Sequence, residues 1–375
     1  MSLKAQVRPI DLLPGRRVLV ISDIHGNLPL LKGVLRKAGF CKDDILIILG
    51  DIVERNAGSL DTLRYVMELC RDYTVYPVMG NCDSLNLNFF DGRDGHPDAF
   101  YSRRWFKLGE KCTLVRMAHL AGVPLETQAD YSAARVVLAK EFAPELEFLR
   151  AMPHIYVNQD YLFVHGGVPR EERLEELDAY GCMKNDDFMG QGHSFKRWVI
   201  VGHWPVTLYR GDIPSAAPIV DRERHIVSID GGCTLKLDGQ LNALILPGEK
   251  GEEFSWVSYD GFPEGTALEA QEASADPLNI RWGRSRVEVL EEGPELSRCR
   301  HLETGRELDV LTEYLRRDEA GVWCEDSTDY LLPVKAGDTL SVIRQTSRGT
   351  LCKKDGVTGW YLGKVENLAE GRGDV

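Results

Sequence analysis

Continuous apolar runs, rather than alternating ones, set the pattern of the first part of the chain. RRVLVISD (16–23), DDILIILGD (43–51) and TVYPVMGN (74–81) are of this kind. Val/Ile/Leu runs of this length predict strands buried on both faces. Between them, NLPLLKGVLRKAG and SLDTLRYVMELCRD place apolar residues at helical spacing. The β-α-β-α order predicts an α/β fold with a parallel core. Residues 97–150 read as mostly helical, with YSAARVVLAKEF and ELEFLRAM the clearest pieces. After Pro153 the texture changes. HIYVNQDYLFVHGG predicts two strands around an Asn-Gln-Asp turn, and RWVIVGH, RHIVSIDGG and QLNALILPG predict further strands, partly antiparallel.

Residues 263–280, PEGTALEAQEASADPLNI, hold four acidic residues and no Lys or Arg. The boundaries expected from this texture are a catalytic domain over 1–262, an acidic linker over 263–275, and two small β-barrels over 276–318 and 319–375, the second with a tail. The barrels rest on an internal repeat at an offset of 53, in which Asp276 matches Asp329, Leu278 Leu331, Val289 Val342, Cys299 Cys352, Glu313 Glu366 and Leu315 Leu368. Cores this small are marginal alone.

Composition narrows the function classes. A net charge of −13 argues against a general nucleic-acid binder, which needs a basic face. No run approaches the roughly 20 apolar residues that span a bilayer. The first residues are broken by Pro9, Pro14 and Arg16-Arg17 and make a poor signal peptide. Nine cysteines, with no CxxC, fit reduced thiols and a cytoplasmic location.

The chemistry lies at the strand ends. Asp23 and His25 follow the first strand in SDIHGN, and Asp51 follows the second in GDIVER. Asn81 follows the third in GNCD, His165 a later one in VHGG, and His203 another in VGHWPV. The carboxyl ends of parallel strands form the site-bearing edge of an open sheet. Carboxylate, imidazole and amide oxygen together suit two divalent metals sharing one carboxylate, with Mn, Fe, Zn or Co favoured over Ca, and Mn the choice for an assay. A lone aspartate at a strand end is usually a turn former; six ligand types in order, each near a glycine, are not explained that way.

This ordered set, DxH, GDxxxR, GN, HGG and GHxP, resembles the calcineurin-like metallophosphoesterases over about residues 16–250. HGGVP and GHWPV are most similar to the phosphoprotein-phosphatase branch, which includes bacterial protein phosphatases and diadenosine tetraphosphatases. The resemblance implies a four-layer α/β/β/α sandwich. It implies one metal on Asp23, His25 and Asp51, and a second on Asp51, Asn81, His165 and His203. Arg55, with Asn81 and His165, would contact phosphate. Two metals about 3.5–4 Å apart would then activate a bridging hydroxide for in-line attack on phosphorus, with charge on the phosphoryl oxygens stabilised by the metals and Arg55.

Two positions depart from the branch. Its asparagine is followed by a histidine thought to protonate the leaving oxygen, oriented by an aspartate in the second motif; here Cys82 and Glu54 stand in those places. Cys82 is open to a structural or substrate-shaping role, to proton donation or to metal ligation. Asp83, placed with Asp51, Arg55 and Cys82 in the catalytic set, is one alternative proton source, and His96 and His193 are others. SDIHGN and GNCD are also similar to small bacterial phosphodiesterases of the same superfamily. In IDGGC (229–233), Gly231 and Gly232 are expected to line the site floor.

The C-terminal repeats resemble SH3-type barrels, through DTLSVI with GVTGWYLGKVENL and RVEVLEEG with TGRELDVLTEYL. Peptide contact is an expectation only for the first copy, which keeps Tyr314 where the second has Asn367. The leading expectation is hydrolysis of phosphomonoesters or phosphoanhydrides on a small molecule, nucleotide or phosphoprotein. The alternatives are a phosphodiesterase with the same site, and a metal-binding scaffold without catalysis.

Overall fold

The structure, a computed structural model, describes residues 3–92, 98–248 and 253–367. The chain forms two compact units. The first comprises 1–204, 218–234 and 241–259, and the second comprises 205–217, 235–240 and 260–375.

The first unit holds two sheets. In one, β2 (Val18–Ile21), β3 (Ile45–Ile48) and β4 (Thr74–Pro77) are parallel, and β10 (Leu241–Ile245) and β11 (Ser255–Tyr259) extend it antiparallel beyond β2. The other sheet has the order β1 (Val7–Pro9), β5 (Ile155–Val157), β6 (Tyr161–Val164), β7 (Trp198–Val201), β9 (Ile226–Ser228), β8 (Ile219–Asp221), and β6, β7 and β9 are parallel.

The continuous apolar runs are explained by where alternate side chains go. Leu19, Ile21, Leu46 and Ile48 pack with Leu31, Val34, Leu63 and Val66 of helices α1 (Leu28–Lys37) and α2 (Ser59–Asp72). Their neighbours Val18, Val20, Ile45, Ile47 and Leu49 pack with Phe163, Ile200 and Val227 of the second sheet. Each strand is thus apolar on both faces, one against helices and one between sheets. This is an α/β architecture with two mixed sheets. Helix α3 (Asn81–Asp91) follows β4 directly. Then α4 (Asp98–Leu108), α5 (Thr113–Ala121) and α6 (Gln128–Glu141) build a separate helical core around Phe89, Tyr101, Met117 and Leu138, and α7 (Ala143–Ala151) leads back to β5. No helix among the described residues is long and apolar enough to cross a membrane.

The second unit is β-rich, and two features change the sequence picture. Residues 264–267, expected to be linker, form a strand, β12 (Glu264–Ala267). It pairs with β20 (Thr339–Gln345) and with β23 (Val365–Glu366). Its polar composition misleads because a strand with one solvent-facing side needs only alternate buried positions, here Gly265 and Ala267. The β regions are therefore nested. The sheet of β12, β20, β21 (Thr350–Lys354), β22 (Val357–Tyr361) and β23 is interrupted in sequence by the first one. That first region holds β13 (Asn279–Ile280), β14 (Val287–Glu291), β15 (Leu296–His301), β16 (Glu307–Leu311), β17 (Leu315–Asp318), β18 (Gly321–Cys324) and β19 (Ser327–Thr328).

The repeat itself is structural. Val289 pairs with Cys299 and Val342 with Cys352, and each pair is followed by a register shift, between Val289 and Glu291 and between Val342 and Arg344. The β-bulge recurs at the sequence offset, and both cysteines are fully buried. The layout is consistent with SH3-like repeats. Tyr314 is 9% exposed and packs in the core of the first β region. It borders a cavity of about 100 Å³ whose lining includes Trp282, Trp323 and Trp360.

Candidate metal centre

The strand-end residues converge on one edge of the first unit. Asp23 and His25 follow β2, Asp51 β3, Asn81 β4, His165 β6 and His203 β7. Backbone bonds tie the loops together. Asp23 N donates to Gly50 O (3.1 Å), His25 N to Asp51 O (2.8 Å), Gly26 N to Ile52 O (2.8 Å) and Gly202 N to His165 O (2.8 Å). Among the described residues, half of the non-glycine positions with left-handed φ belong to this edge: Asp23, His25, Asp51, Glu54, Arg55 and His203. Such conformations cost of order 1–3 kcal/mol each and persist where surrounding structure over-determines them.

Asp51 is the middle of the cluster. Its Oδ2 lies 3.7 Å from His25 Nε2, and its Oδ1 lies 3.4 Å from His165 Nε2. Oδ1 also accepts from Cys82 N at the start of α3 (2.8 Å). Asn81 Oδ1 is 3.3 Å from His165 Nε2, and the rings of His165 and His203 are 5.2 Å apart. Ligand-type atoms of Asp23, Asp51 and His165 lie within 4.8 Å of one another, as do those of His25, Asp51 and Cys82. Two ligand groups thus share Asp51, and the second admits the Cys82 thiol.

The donor set fits divalent cations on a further ground. Asp23 Oδ1, both ring nitrogens of His25 and His203 Nδ1 are buried without a hydrogen-bond partner. A buried polar atom left unpaired costs about 1–3 kcal/mol, so several at one point call for a cation. His165 Nδ1 meets Leu49 O at 2.5 Å, which makes it the donor and leaves the Nε2 lone pair facing Asp51 and Asn81. His203 Nε2 meets Asp186 Oδ1 at 2.8 Å, so Nδ1 is the nitrogen left over.

The ionisation of His25, His203 and Asp51 agrees with the ligand form. Burial lowers His25 and His203 to about 4, so both rings are neutral near pH 7. Burial pushes Asp51 up, but the rings of His165 and His25 and the Cys82 N–H outweigh it and hold the carboxyl at about 2. Burial and the Asp51 charge raise Asp23 well above the carboxylate range. Burial likewise keeps the Cys82 thiol well above its ordinary value, reinforced by Asp51.

The other expected residues divide. Arg55 keeps a buried Nε with no hydrogen-bond partner. Asp83 does not present its carboxylate to the cluster. Its Oδ1 accepts from Ile52 N (3.0 Å) and Val53 N (3.2 Å), and its Oδ2 accepts from Gly80 N (3.1 Å). These bonds make it a clamp holding the β3 and β4 loops together. Asp83→Ala would leave those buried amides unpaired, and we expect a loss of roughly 3 kcal/mol in urea unfolding. Unchanged stability with lost turnover would return Asp83 to the chemistry. His193 rests against Phe188 and Phe195, with Nε2 on Gln191 Oε1 (3.2 Å). His96 lies outside the described residues. Gly231 and Gly232 follow β9 next to Asp230, whose Oδ1 accepts from Gly232 N (2.8 Å).

Several site residues escaped the sequence reading. Asp230 is fully buried with Oδ2 unpartnered, and burial followed by the charge of Asp23 raises it well above the carboxylate range. It follows β9, so the strand-end rule that found the other ligands would have found it. Lys184 and Asp186, which reach His203, come from an irregular segment with no motif. Arg104, on α4, pairs with buried Glu54 (2.8 Å).

A family profile described as calcineurin-like phosphoesterase matches residues 16–227. The chain is 35% identical over 92 residues to serine/threonine-protein phosphatase 2 of Escherichia coli (strain K12), covering 24% of this chain and 40% of that one. It is 28% identical over 178 residues to the symmetrical bis(5'-nucleosyl)-tetraphosphatase of Photobacterium profundum, covering 45% and 53%. Against the asymmetrical bis(5'-nucleosyl)-tetraphosphatase PrpE of Oceanobacillus iheyensis it is 23% identical over 250 residues, covering 58% and 84%. The chain thus spans about half or less of the length of the first two. Among solved structures, a metallophosphoesterase from Sphaerobacter thermophilus aligns with a TM-score of 0.34 and 18% identity, over 65% of this chain and 88% of that one. With the profile matching more than half of its length, the chain belongs to the calcineurin-like phosphoesterase family.

Proposed function

We propose that this chain is a dimetal-dependent hydrolase of phosphomonoesters or phosphoanhydrides. The observation that carries this is Asp51, whose two oxygens face His25 (3.7 Å) and His165 (3.4 Å), with unpartnered buried ligand-type atoms on Asp23, His25 and His203. Asp23, His25 and Asp51 would hold one metal, and Asp51, Asn81, His165 and His203 the other. When bound, such ions activate water and neutralise phosphoryl charge. The side chains supply the rest. Arg55 presents a buried, unpaired N–H to a phosphoryl oxygen. His165 is held in one tautomer by Leu49 O, and His203 is held through Nε2 by Asp186 and Lys184. Asp83 keeps the Asp51 and Asn81 loops in register.

Both kinds of named relative, a protein phosphatase and nucleoside tetraphosphatases, favour monoesters and anhydrides as the substrate class. The test is a panel with Mn²⁺: a phenyl phosphomonoester, the matching diester, a phosphopeptide and a dinucleoside polyphosphate. The expected order places the monoester and the anhydride above the diester. A diester rate well above the others would make the enzyme a phosphodiesterase, and no turnover by metal-loaded protein would leave a binding scaffold.

Cys82 supports the site rather than supplying a proton. Its thiol is buried and lies 3.4 Å from the Asn81 amide nitrogen. Cys82→Ser is expected to keep kcat/KM within ~10-fold; general acid catalysis is worth ~10²–10⁴-fold, so a loss on that scale would make the thiol a participant.

A further inference from the structure

We propose that Arg104, held on a buried ion pair with Glu54, is a second substrate guanidinium, and that it stabilises negative charge on the leaving oxygen of phosphoanhydrides and aryl phosphates. This rests on the phosphoesterase reading above and names its leaving-group class.

The starting point is Glu54, 1% exposed and next in sequence to Arg55. Both of its carboxylate oxygens are taken. Oε2 accepts from an Arg104 terminal nitrogen at 2.8 Å, and Oε1 accepts from Thr113 N at 3.0 Å and faces Cys112 Sγ at 3.6 Å. Its own N–H donates to Thr113 Oγ1 at 3.2 Å. Glu54 is therefore a fixed anchor, not an acid free to deliver a proton.

Arg104 is only partly satisfied by this anchor. Its Nε is buried without a hydrogen-bond partner, as is the Nε of Arg55. Glu54, which holds Arg104 at 2.8 Å, lies in the loop that follows Asp51 and directly precedes Arg55. Two guanidinium groups with an unsatisfied buried N–H are thus attached to the loop that follows Asp51, Arg55 as part of it and Arg104 through Glu54. Arg104 has the Glu54 carboxylate, and its remaining N–H, like that of Arg55, is suited to a phosphate oxygen. Arg55 precedes α2 in the metal-bearing loops, whereas Arg104 arrives on α4. The two approach from different elements, as contacts to the attacked phosphoryl group and to the departing group require.

The chemistry follows from what arginine cannot do. It does not deprotonate in proteins, so it offers charge and not a proton. In the reaction a P–O bond forms to the water oxygen, the P–O bond to the leaving group breaks, and the proton from water passes to solvent. The leaving group departs with the electron pair, ion-paired to Arg104, and is protonated by water afterwards. Phosphate and phenolate leave readily in this way; alkoxides, which need a proton as they depart, do not.

The test compares wild type, Arg104→Ala and Arg104→Lys as full-length, Mn²⁺-loaded protein. Thermal melts establish folding, and the lysine variant keeps a cation for Glu54. The first readout is kcat/KM over substituted phenyl phosphates of graded leaving-group pKa. Arg104→Ala is expected to lose ~10²-fold on the poorest leaving groups and progressively less on better ones, with partial recovery in Arg104→Lys or on adding guanidinium chloride. An equal loss across the series, or none, overturns the assignment. The second readout is calorimetric binding of inorganic pyrophosphate, expected to weaken at least tenfold in Arg104→Ala. If wild type turns over no phosphoester, the phosphoesterase reading fails, and the pyrophosphate arm judges Arg104 alone: equal affinity in wild type and Arg104→Ala overturns it.

Discussion

Asp51→Asn is expected to abolish hydrolysis, lowering kcat by ~10²–10³-fold or more, the scale of removing one preorganised charge-stabilising group. The change is nearly isosteric, so the fold is expected to survive. It replaces one carboxylate oxygen with an amide nitrogen in the side chain that sits between His25 and His165 and accepts from Cys82 N. The loss should therefore appear together in metal content and in kcat. A variant that keeps its metals and loses only turnover would separate Asp51 from metal binding.

Gly80→Ala is expected to be nearly as damaging, for a reason no ligand list contains. Gly80 has an ordinary extended backbone, φ −97° and ψ 168°, so its conformation does not demand glycine. Space does: a Cβ there would overlap Asp51 N and Oδ1. One methyl group would push the shared carboxylate out of place, and a misplacement of about 1 Å costs ~10²-fold in rate. Gly202 is in the same position against Ser22 and Asp23. Kinetics of Gly80→Ala beside the far-ultraviolet circular dichroism spectrum would check this. An active, stable Gly80→Ala would mean that the β3 and β4 loops are not packed as described.

The convergence of these strand-end residues on one edge was legible because each follows an apolar strand run, and the run, the glycine and the polar residue are contiguous in sequence. The two-faced burial of Val18–Ile21 and Ile45–Ile48 is likewise local information. What stayed hidden depends on contacts between distant segments. Asp83 looks like a loop carboxylate beside a ligand; only the approach of Ile52, Val53 and Gly80 makes it a clamp. Arg104 sits in a helical pattern without a motif, and its role comes from folding α4 against Glu54. Strand β12 was missed because its partners lie about 75 and 100 residues further along the chain, on the far side of the inserted β region. The repeat, in contrast, was visible through Cys299 and Cys352, and the matching bulges carry it into the structure.

The Arg104 assignment and the Cys82→Ser expectation describe one idea from two sides: charge, rather than a proton, meets the leaving oxygen. Both depend on the metal pair, which is also the claim open to the most direct measurement. Chelator-stripped wild-type protein titrated with Mn²⁺ in a calorimeter should bind two ions per chain, and Asp51→Asn should bind fewer. Binding of one ion or none by folded wild-type protein would contradict a centre built around a shared Asp51.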